Sequence, residues 1–398
     1  MRFALPDGRT VHLGFCTNVL PGETIDALHA QLARVAGPVR ARLGAARLGA
    51  GLWIAHQAAA ALAGDGGACR ALRAALDDAG LEVVTLNGFP YGGFHAPRVK
   101  ERVFAPDWGD PARRSYTLDL ATVLTALLPA DAAVGTISTV PLGAAPADRA
   151  AAGRALAATA HDLAALAARS GRPIRLCLEP EPGAAIETAG DAAAFLSALA
   201  DGQDREADGA RGAAVRRHLG VCFDCCHAAV VGETPDAAFA ALAAAGVTCG
   251  KVQLSSALVV PRPDRAADRA RLAAFDEPRF LHQVRTPGGG AAMDLPDALA
   301  RLDPGSAPWR VHFHLPIHRD AFGPLGTTAA TIPDALRAAL ASAPPPGAPP
   351  HLEVETYTWS VLPEGERPEG DAGLVEGLAR EVAWACDALA AAAAAVPA

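Results

Sequence analysis

The chain has 398 residues, 51% of them hydrophobic, so it can bury a large core and is not disordered as a whole. Its formal net charge is −8 at pH 7, and no basic run is interleaved with aromatic residues, which argues against a nucleic-acid partner. The sequence has no apolar leader segment and no apolar stretch of the ~18 residues that a membrane span needs. We therefore expect a cytoplasmic protein that is not membrane-embedded and whose partner is a small-molecule metabolite.

Short β-like runs alternate with alanine-rich helical stretches along the chain, a pattern typical of repeated βα units. The pattern predicts an α/β fold, namely a (β/α)8 TIM barrel. Such a barrel averages ~250 residues, so this longer chain should contain insertions. Nine β-like runs are present, one more than a closed barrel needs. In chain order they are Val11–Cys16, Leu48–Trp53, Val83–Asn87, Val134–Thr139, Ile174–Glu179, Val221–Asp224, Lys251–Ser255, Val311–Leu315 and Leu352–Thr356.

The remaining residues are expected in insertions of a single domain that spans 1–398. Segments 201–217, 261–278 and 341–350 are charged, glycine-rich or proline-rich, and we expect them to be inserted or exposed loops. Arg310–His318 lies in a gap about three times as long as a βα unit. This run is therefore either the ninth strand or part of an inserted hairpin.

Polar residues alternate with apolar ones in several predicted strands, although strands of a helix-covered parallel sheet are usually apolar on both faces. Glu179, Asp224 and Glu355 each stand at or next to the end of such a run, and Lys251 and Gln253 share one face of another. In a closed barrel the inward residues line the axis, so carboxylates that end several strands converge at one mouth. The sequence therefore predicts a metal or acid–base site there.

The segment after the sixth run, Asp224-Cys-Cys-His227, puts a carboxylate and an imidazole three residues apart. The carboxylate can bind a hard divalent ion while His227 meets a substrate oxygen. The alternative is a helix-capping Asp beside a core His. Zinc bound by the cysteines around Asp224 is disfavoured, because no second pair of cysteines follows.

Lys251 is one of only two lysines, with Lys100, among 35 Lys and Arg residues. Because it shares the inward face with Gln253, we predict that it contacts substrate, neutralising a carbonyl, a phosphate or a developing enediolate. A desolvated lysine can also form a Schiff base. The alternative is a purely structural pair with a barrel carboxylate.

The aromatic, glycine-rich stretch after the third run predicts a loop that covers a ligand, with Asn87, Tyr91 and His95 as substrate-binding residues. A loop packed on its own rings is the alternative. Further along, His312 and His314 lie on one side of the eighth run, a spacing that can bind metal. We predict a substrate contact for His314.

Four motifs in chain order, CLEP at 177–180, FDCCH at 223–227, KVQLS at 251–255 and VETY at 354–357, resemble the xylose-isomerase-like barrels of sugar isomerases and epimerases. The resemblance implies a divalent metal (Mn, Zn or Mg) held by four side chains at strand ends. It also implies that the two glutamates act as the acid–base pair. The implied ligands are Glu179, Asp224, Gln253 and Glu355.

A second resemblance covers nearly the full length. The segments FCTNVLPGET at 15–24, LNGFPYGGFH at 86–95, APDWGDPARRSYT at 105–117, ISTVPLG at 137–143, KVQLSSAL at 251–258 and HLEVETYTW at 351–359 look like the EboE "metabolite traffic" family. It implies a sugar-phosphate or polyol isomerase- or epimerase-like protein of a secreted-metabolite biosynthesis and transport cluster, linked to a UbiA-like prenyltransferase. The alternative is an inactive metabolite-binding or traffic protein on the same barrel. An abasic-site nuclease is a poor third, because the chain is acidic.

Overall fold

The computed structural model describes residues 1–206, 210–305, 307–342 and 347–395, and within them it has sixteen β-strands and fourteen α-helices. The strands are β1 (Arg2–Ala4), β2 (Thr10–Cys16), β3 (Leu48–Trp53), β4 (Leu81–Glu82), β5 (Thr85–Asn87), β6 (Gly135–Thr139), β7 (Ile174–Leu178), β8 (Leu219–Asp224), β9 (Cys249–Leu254), β10 (Leu258–Val260), β11 (Val284–Arg285), β12 (Ala291–Ala292), β13 (Trp309–Val311), β14 (Ala321–Phe322), β15 (Leu325–Thr327) and β16 (His351–Val354).

The α-helices surround the strands and provide the outer layer. They are α1 (Ile25–Gln31), α2 (Gly37–Arg42), α3 (His56–Gly64), α4 (Gly66–Asp78), α5 (Pro111–Leu127), α6 (Arg149–Ser170), α7 (Ala189–Glu206), α8 (Ala210–His218), α9 (Cys225–Val231), α10 (Pro235–Ala244), α11 (Ala266–Ala273), α12 (Leu295–Arg301), α13 (Ile332–Ala341) and α14 (Gly370–Ala394). None of the described helices is long and apolar enough to cross a membrane.

Eight of these strands form a closed parallel barrel, which confirms the predicted fold. Their order is β2, β3, β5, β6, β7, β8, β9 and β16, and β16 pairs with β2 to close the ring. The outward side chains pack against the helices, while the inward side chains fill the axis. Two short strands lie at the edge: β1 is antiparallel to β2, and β4 pairs with β3.

A second sheet is inserted between β9 and β16. It is antiparallel, in the order β12, β11, β13, β10, β15 and β14. Arg310 and Val311 pair within this sheet, so the run Arg310–His318 belongs to the insertion and not to the barrel. The insertion places its residues beside the mouth where β9 and β16 end.

Helices occupy much of the sequence for which loops were expected. Residues 201–206 end α7, residues 210–217 lie in α8, and α11 falls within 261–278. Alanine and arginine are good helix formers, and in these segments they outweigh the scattered glycines and aspartates. Residues 207–209 of the first segment and 343–346 of the segment 341–350 lie outside the described residues.

Candidate functional site

Polar side chains from four barrel strands meet at one mouth. Glu179 follows β7, Asp224 ends β8, Gln253 lies in β9, and Glu355 follows β16. Asp224 pairs in register with Gln253, and β9 pairs with β16, so closure of the barrel brings the four together. One oxygen each from Glu179, Asp224 and Glu355 lies within 4.8 Å of the other two, and all three residues are buried.

The two oxygens of the Asp224 carboxylate have different surroundings. Oδ1 caps α9 by accepting a hydrogen bond from the backbone N of His227 at 2.8 Å, and it accepts another from Ser255 Oγ at 2.8 Å. For Oδ2, no partner exists among the described residues. The capping interpretation and the ligand interpretation are therefore compatible, because each uses a different oxygen.

Glu355 is oriented in the same way. Its Oε1 accepts hydrogen bonds from Asn18 Nδ2 at 2.7 Å and from Asn87 Nδ2 at 2.8 Å. In the part of the chain that the structure describes, Glu355 Oε2 and Glu179 Oε2 are buried without a hydrogen-bond partner. The two asparagines hold the carboxylate so that its second oxygen is available to a ligand.

Gln253 pairs in register with Asp224 and adds a neutral amide at that level of the barrel. The side chain is fully buried, and over residues 1–206, 210–305, 307–342 and 347–395 neither its oxygen nor its nitrogen has a hydrogen-bond partner. A buried oxygen without a hydrogen-bond partner destabilises the folded protein unless a hydrogen-bond donor or a cation binds to it. Three carboxylate oxygens and one amide oxygen are hard donors of the kind that Mg²⁺ and Mn²⁺ prefer, so these residues fit a divalent ion.

The electrostatics of the carboxylates agree with this fit. Burial, and then the nearby Asp224 carboxylate, raise the pKa of Glu179 to about 8. Burial, and then repulsion from Glu179 and Asp224, raise the pKa of Glu355 well above its ordinary value. A cation between these groups would remove the repulsion and favour the charged forms.

His227 and His314 present bare nitrogens to each other. His227 Nδ1 lies 3.0 Å from the carbonyl oxygen of Pro180, and His314 Nδ1 lies 2.9 Å from that of Glu355. Because a carbonyl only accepts, each Nδ1 carries the hydrogen, and each Nε2 of a neutral ring is an acceptor. The two Nε2 atoms are 3.3 Å apart. Burial lowers the pKa of both rings, that of His314 to about 4, so a proton shared between them is disfavoured.

His312 is held in the same tautomer. Its Nδ1 donates to Gln283 Oε1 at 2.6 Å, and Gln283 Nε2 donates in turn to Glu181 Oε1 at 3.0 Å. The ligand atoms of Glu181, His227 and His312 lie within 4.8 Å of one another. A second group of potential metal or substrate ligands therefore stands beside the carboxylates, and burial raises the pKa of Glu181 to about 8.

Lys251 lies inside the barrel, two residues before Gln253 and so one layer below the mouth. Its ammonium is 2.6 Å from Glu353 Oε2, and both side chains are fully buried. Burial alone would lower the pKa of Lys251, but the Glu353 carboxylate outweighs this effect and raises it. Gly51 provides the room, since a Cβ there would lie 1.1 Å from Glu353 Oε1. The substrate contact predicted for Lys251 remains a prediction, and this geometry favours the structural pair.

The residues predicted for substrate binding in the aromatic loop separate into two groups. Asn87 lines the cavity at the mouth. Tyr91 instead stacks on His56 with ring centroids 4.1 Å apart, and His95 Nε2 is 2.8 Å from the carbonyl oxygen of Asn18. Neither of these two rings is part of the cavity lining within the described residues. The loop is thus bound to its surroundings at Tyr91 and His95.

The cavity at the mouth has a volume of about 40 Å³, room for a few water molecules. Its polar lining consists of Asn18, Asn87, Glu179, Glu181, His227, His312, His314, Glu355 and Lys100. The rest of the lining is apolar or aromatic, and it consists of Phe89, Pro90, Phe94, Val99, Val103, Phe280, Leu281 and Tyr357.

Sequence reasoning missed several of these residues. Asn18 lies two residues after β2, and this strand-end position could have identified it. Lys100 is the other lysine of the chain; its ammonium is 2.7 Å from Asp294. Because lysine is so rare in this chain, the position of Lys100 could have been identified from the sequence as a candidate for the site. Gln283 and Phe280 come from the insertion, where nothing local in the sequence points to the barrel mouth.

Comparisons with known proteins agree with this architecture. The family model described as xylose isomerase-like TIM barrel matches residues 44–309, which is more than half of the chain. No curated protein sequence matches.

Solved structures with a similar fold include three proteins from bacteria. A xylose isomerase domain protein from Alicyclobacillus acidocaldarius is 16% identical, with a TM-score of 0.48 over 96% of this chain and 99% of that one. A 3-keto-D-glucoside 4-epimerase from E. coli is 14% identical, with a TM-score of 0.45 over 95% and 99%. A xylose isomerase-like TIM barrel protein from Mycobacterium smegmatis, in complex with magnesium, is 14% identical, with a TM-score of 0.48 over 96% and 98%.

Proposed function

The chain belongs to the xylose isomerase-like TIM barrel family, and from this premise we propose that it is a metal-dependent isomerase or epimerase of a sugar-phosphate, polyol or related small metabolite. One observation carries the proposal. Glu179, Asp224 and Glu355 each offer one buried carboxylate oxygen within 4.8 Å of the other two. Each of the three carboxylates also has one buried oxygen without a hydrogen-bond partner among the described residues. An arrangement that is this costly without a cation is well suited to hold one.

Glu179, Asp224, Gln253 and Glu355 would hold the ion. When bound, a divalent metal supplies a Lewis acid that polarises a carbonyl or hydroxyl oxygen of the substrate. The amide of Gln253 keeps the total ligand charge at three negative charges. The choice among Mn, Zn and Mg remains open, because oxygen donors suit Mg²⁺ and Mn²⁺ while nearby imidazoles suit Zn²⁺.

The protein's own groups would move the proton. Glu179 and Glu355 face the cavity, and their burial, which persists when an ion is bound, favours the protonated form of both. A carboxyl group whose pKa is near the working pH can take a C–H proton and return it with little penalty in either direction. His227 and His314, with bare Nε2 atoms, would accept hydrogen bonds from substrate hydroxyls and so orient the carbon that reacts.

Metal analysis and proton exchange would test the proposal. The purified protein should contain at least one divalent ion per chain. In D₂O, the Mn-loaded protein should exchange the hydrogen next to the carbonyl of at least one member of a panel of ketoses, aldoses and their phosphates, as seen by NMR. Glu179→Gln should abolish the exchange, and Glu355→Gln should weaken metal binding about tenfold or more, because a neutral ligand replaces an anionic one.

The matched control is Glu233→Gln. The Glu233 carboxylate accepts hydrogen bonds from the backbone N of Ala189 at 2.8 Å and of Gly190 at 3.1 Å, next to the start of α7 and away from the carboxylate cluster. Exchange and metal content should persist in this variant. A wild-type protein that binds no metal, and whose stability ignores added Mn, Zn or Mg, would contradict the proposal.

A non-catalytic metabolite-binding or traffic protein is the second candidate. Metal-dependent ligand binding without any C–H exchange would support this candidate over the enzyme.

We further infer from the motifs a place in the EboE branch, with a cytoplasmic location and a functional link to a UbiA-like prenyltransferase in the production or export of a secreted metabolite. These are inferences from sequence resemblance. Deleting the gene for this chain alone should remove a secreted compound from the culture medium. Expression of the wild-type protein should restore the compound, and expression of Glu179→Gln should not; this result would support the inferences. An unchanged medium would contradict them.

A further inference from the structure

Much of the cavity lining consists of apolar side chains, which cannot form a hydrogen bond with a hydroxyl group of a ligand. Six apolar side chains supply it, and most of them are buried: Phe89, Phe94, Val99, Val103, Phe280 and Leu281. They come from the segment after β5 and from the insertion before β11, so both lie outside the barrel strands. The polar lining, by contrast, is supplied mainly by the strand ends and the imidazoles.

The aromatic residues of this lining pack on one another. Phe94 and Phe280 have ring centroids 5.1 Å apart, and both contact the ring of Tyr357, at 5.2 and 4.9 Å. The phenolic oxygen of Tyr357 is 3.4 Å from His312 Nε2. The polar end of the tyrosine is therefore directed to the imidazoles, while its ring extends the apolar wall.

Among the described residues, Lys100 is the only Lys or Arg in the cavity lining, and it is already paired within the protein. Lys100 Nζ lies 2.7 Å from Asp294 Oδ2 and donates to the carbonyl oxygen of Glu277 at 3.1 Å. Asp294 therefore balances its charge, which weakens its attraction for a phosphate or carboxylate group of a ligand. A ligand that carries hydroxyls on every carbon would bury several of them against this wall without partners, which opposes binding.

We propose that the natural ligand is amphiphilic: an oxygen-rich head, such as an α-hydroxyketone, reaches the carboxylates and imidazoles, and an aromatic or branched aliphatic body lies against Phe94, Phe280 and Val103. This inference rests on the proposed function and names its substrate class. The cavity of about 40 Å³ is smaller than such a body, so binding it requires the wall to move outward.

Three probes with the same head test the inference on the Mn-loaded protein by calorimetry. Dihydroxyacetone is the head alone, L-erythrulose, an open-chain ketotetrose, adds a hydroxylated body, and α-hydroxyacetophenone adds a phenyl ring. We expect α-hydroxyacetophenone to bind at least about tenfold more tightly than dihydroxyacetone, because the ring buries apolar area. L-erythrulose should bind no more tightly than dihydroxyacetone.

A variant of the wall shows where the ring binds. Val103→Asn should reduce the ratio of the phenyl-probe affinity to the dihydroxyacetone affinity to about threefold or less, because it puts an amide in the wall. If Val103→Asn does not fold, Val103→Thr takes its place in the experiment, because threonine has the shape of valine but carries a hydroxyl group. Val375→Asn, at a half-buried valine of α14, is the matched control and should leave the ratio unchanged.

The outcomes separate the two proposals. Equal affinity for dihydroxyacetone and α-hydroxyacetophenone, tighter binding of L-erythrulose than of the phenyl probe, or a ratio that Val103→Asn does not change would overturn the amphiphilic ligand and leave the metal site intact. If the Mn-loaded protein binds none of the three probes, the amphiphilic ligand is also overturned, and the metal analysis and the D₂O exchange panel decide the proposed function separately.

Discussion

Replacing Lys251 by Met is expected to lower the free energy of unfolding by about 3–5 kcal/mol, because it removes one partner of a fully buried ion pair. The Lys251 ammonium and the Glu353 carboxylate are 2.6 Å apart, with both side chains fully buried. At an effective dielectric constant of about 20, their attraction is about 6 kcal/mol, which the loss of hydration of two charges partly offsets. Without the lysine, Glu353 is a lone buried carboxylate that must take up a proton to remain inside.

A double-mutant cycle measures the pair directly. Glu353→Gln alone should also be destabilising, whereas Lys251→Met/Glu353→Gln should recover most of the loss, because no unpaired charge remains. Guanidinium unfolding of the metal-free protein, followed by circular dichroism at pH 7, gives the four stabilities. Lys251→Arg should not restore wild-type stability, because the planar guanidinium is too large for a fully buried site.

A Lys251→Met protein as stable as the wild type, or a double variant no better than the single ones, would refute this reasoning. If Lys251→Met keeps its stability and metal but loses ligand binding, then Lys251 contacts substrate, as its inward position in the sequence predicted.

Further predictions concern pH, packing and charge. The metal-free protein should lose stability as the pH rises from about 7 to about 9, because burial raises the pKa of Glu179 to about 8 and the folded protein then holds a proton that the unfolded chain releases. Below about pH 7 the buried histidines, whose pKa burial lowers, contribute the opposite slope. Thermal unfolding in EDTA from pH 7 to 9 measures the effect, and a flat or rising profile there would count against it. Metal affinity should show the opposite trend and increase with pH, because the ion competes with that proton. Gly51→Ala should lower the free energy of unfolding by about 1–3 kcal/mol, because its Cβ would lie 1.1 Å from Glu353 Oε1. Gly64→Ala, with no atom within 4 Å of its Cβ, is the control and should leave the free energy of unfolding unchanged in the same assay. Equal stability of the two variants would show that Glu353 has room to move. Fluorescence anisotropy should show no binding to abasic duplex DNA at physiological salt, given the net charge of −8, and tight, salt-sensitive binding would return the nuclease to consideration.

The barrel and its carboxylate cluster were predictable because both depend on local patterns. Alternation with a period of two shows which side chains of a strand face inward, and it needs only the few residues of that strand. Glu179, Asp224 and Glu355 were therefore identified without knowing which strands are neighbours, since every parallel strand of a barrel presents its carboxyl end at the same mouth.

The partners of these residues depend on register and on packing between distant segments. Lys251 and Glu353 lie about a hundred residues apart in the chain, and only the pairing of β9 with β16 shows that they neutralise each other. In the same way, the position of His312 and its tautomer depend on the insertion folding back over the mouth so that His312 Nδ1 meets Gln283. The alternation within one strand determines whether a side chain points inward. Which group it contacts there depends on how distant segments of the chain pack together. Spacing therefore predicted that these carboxylates converge at one mouth, and only the tertiary structure decided which charges are satisfied inside the protein and which oxygens have no partner among the described residues.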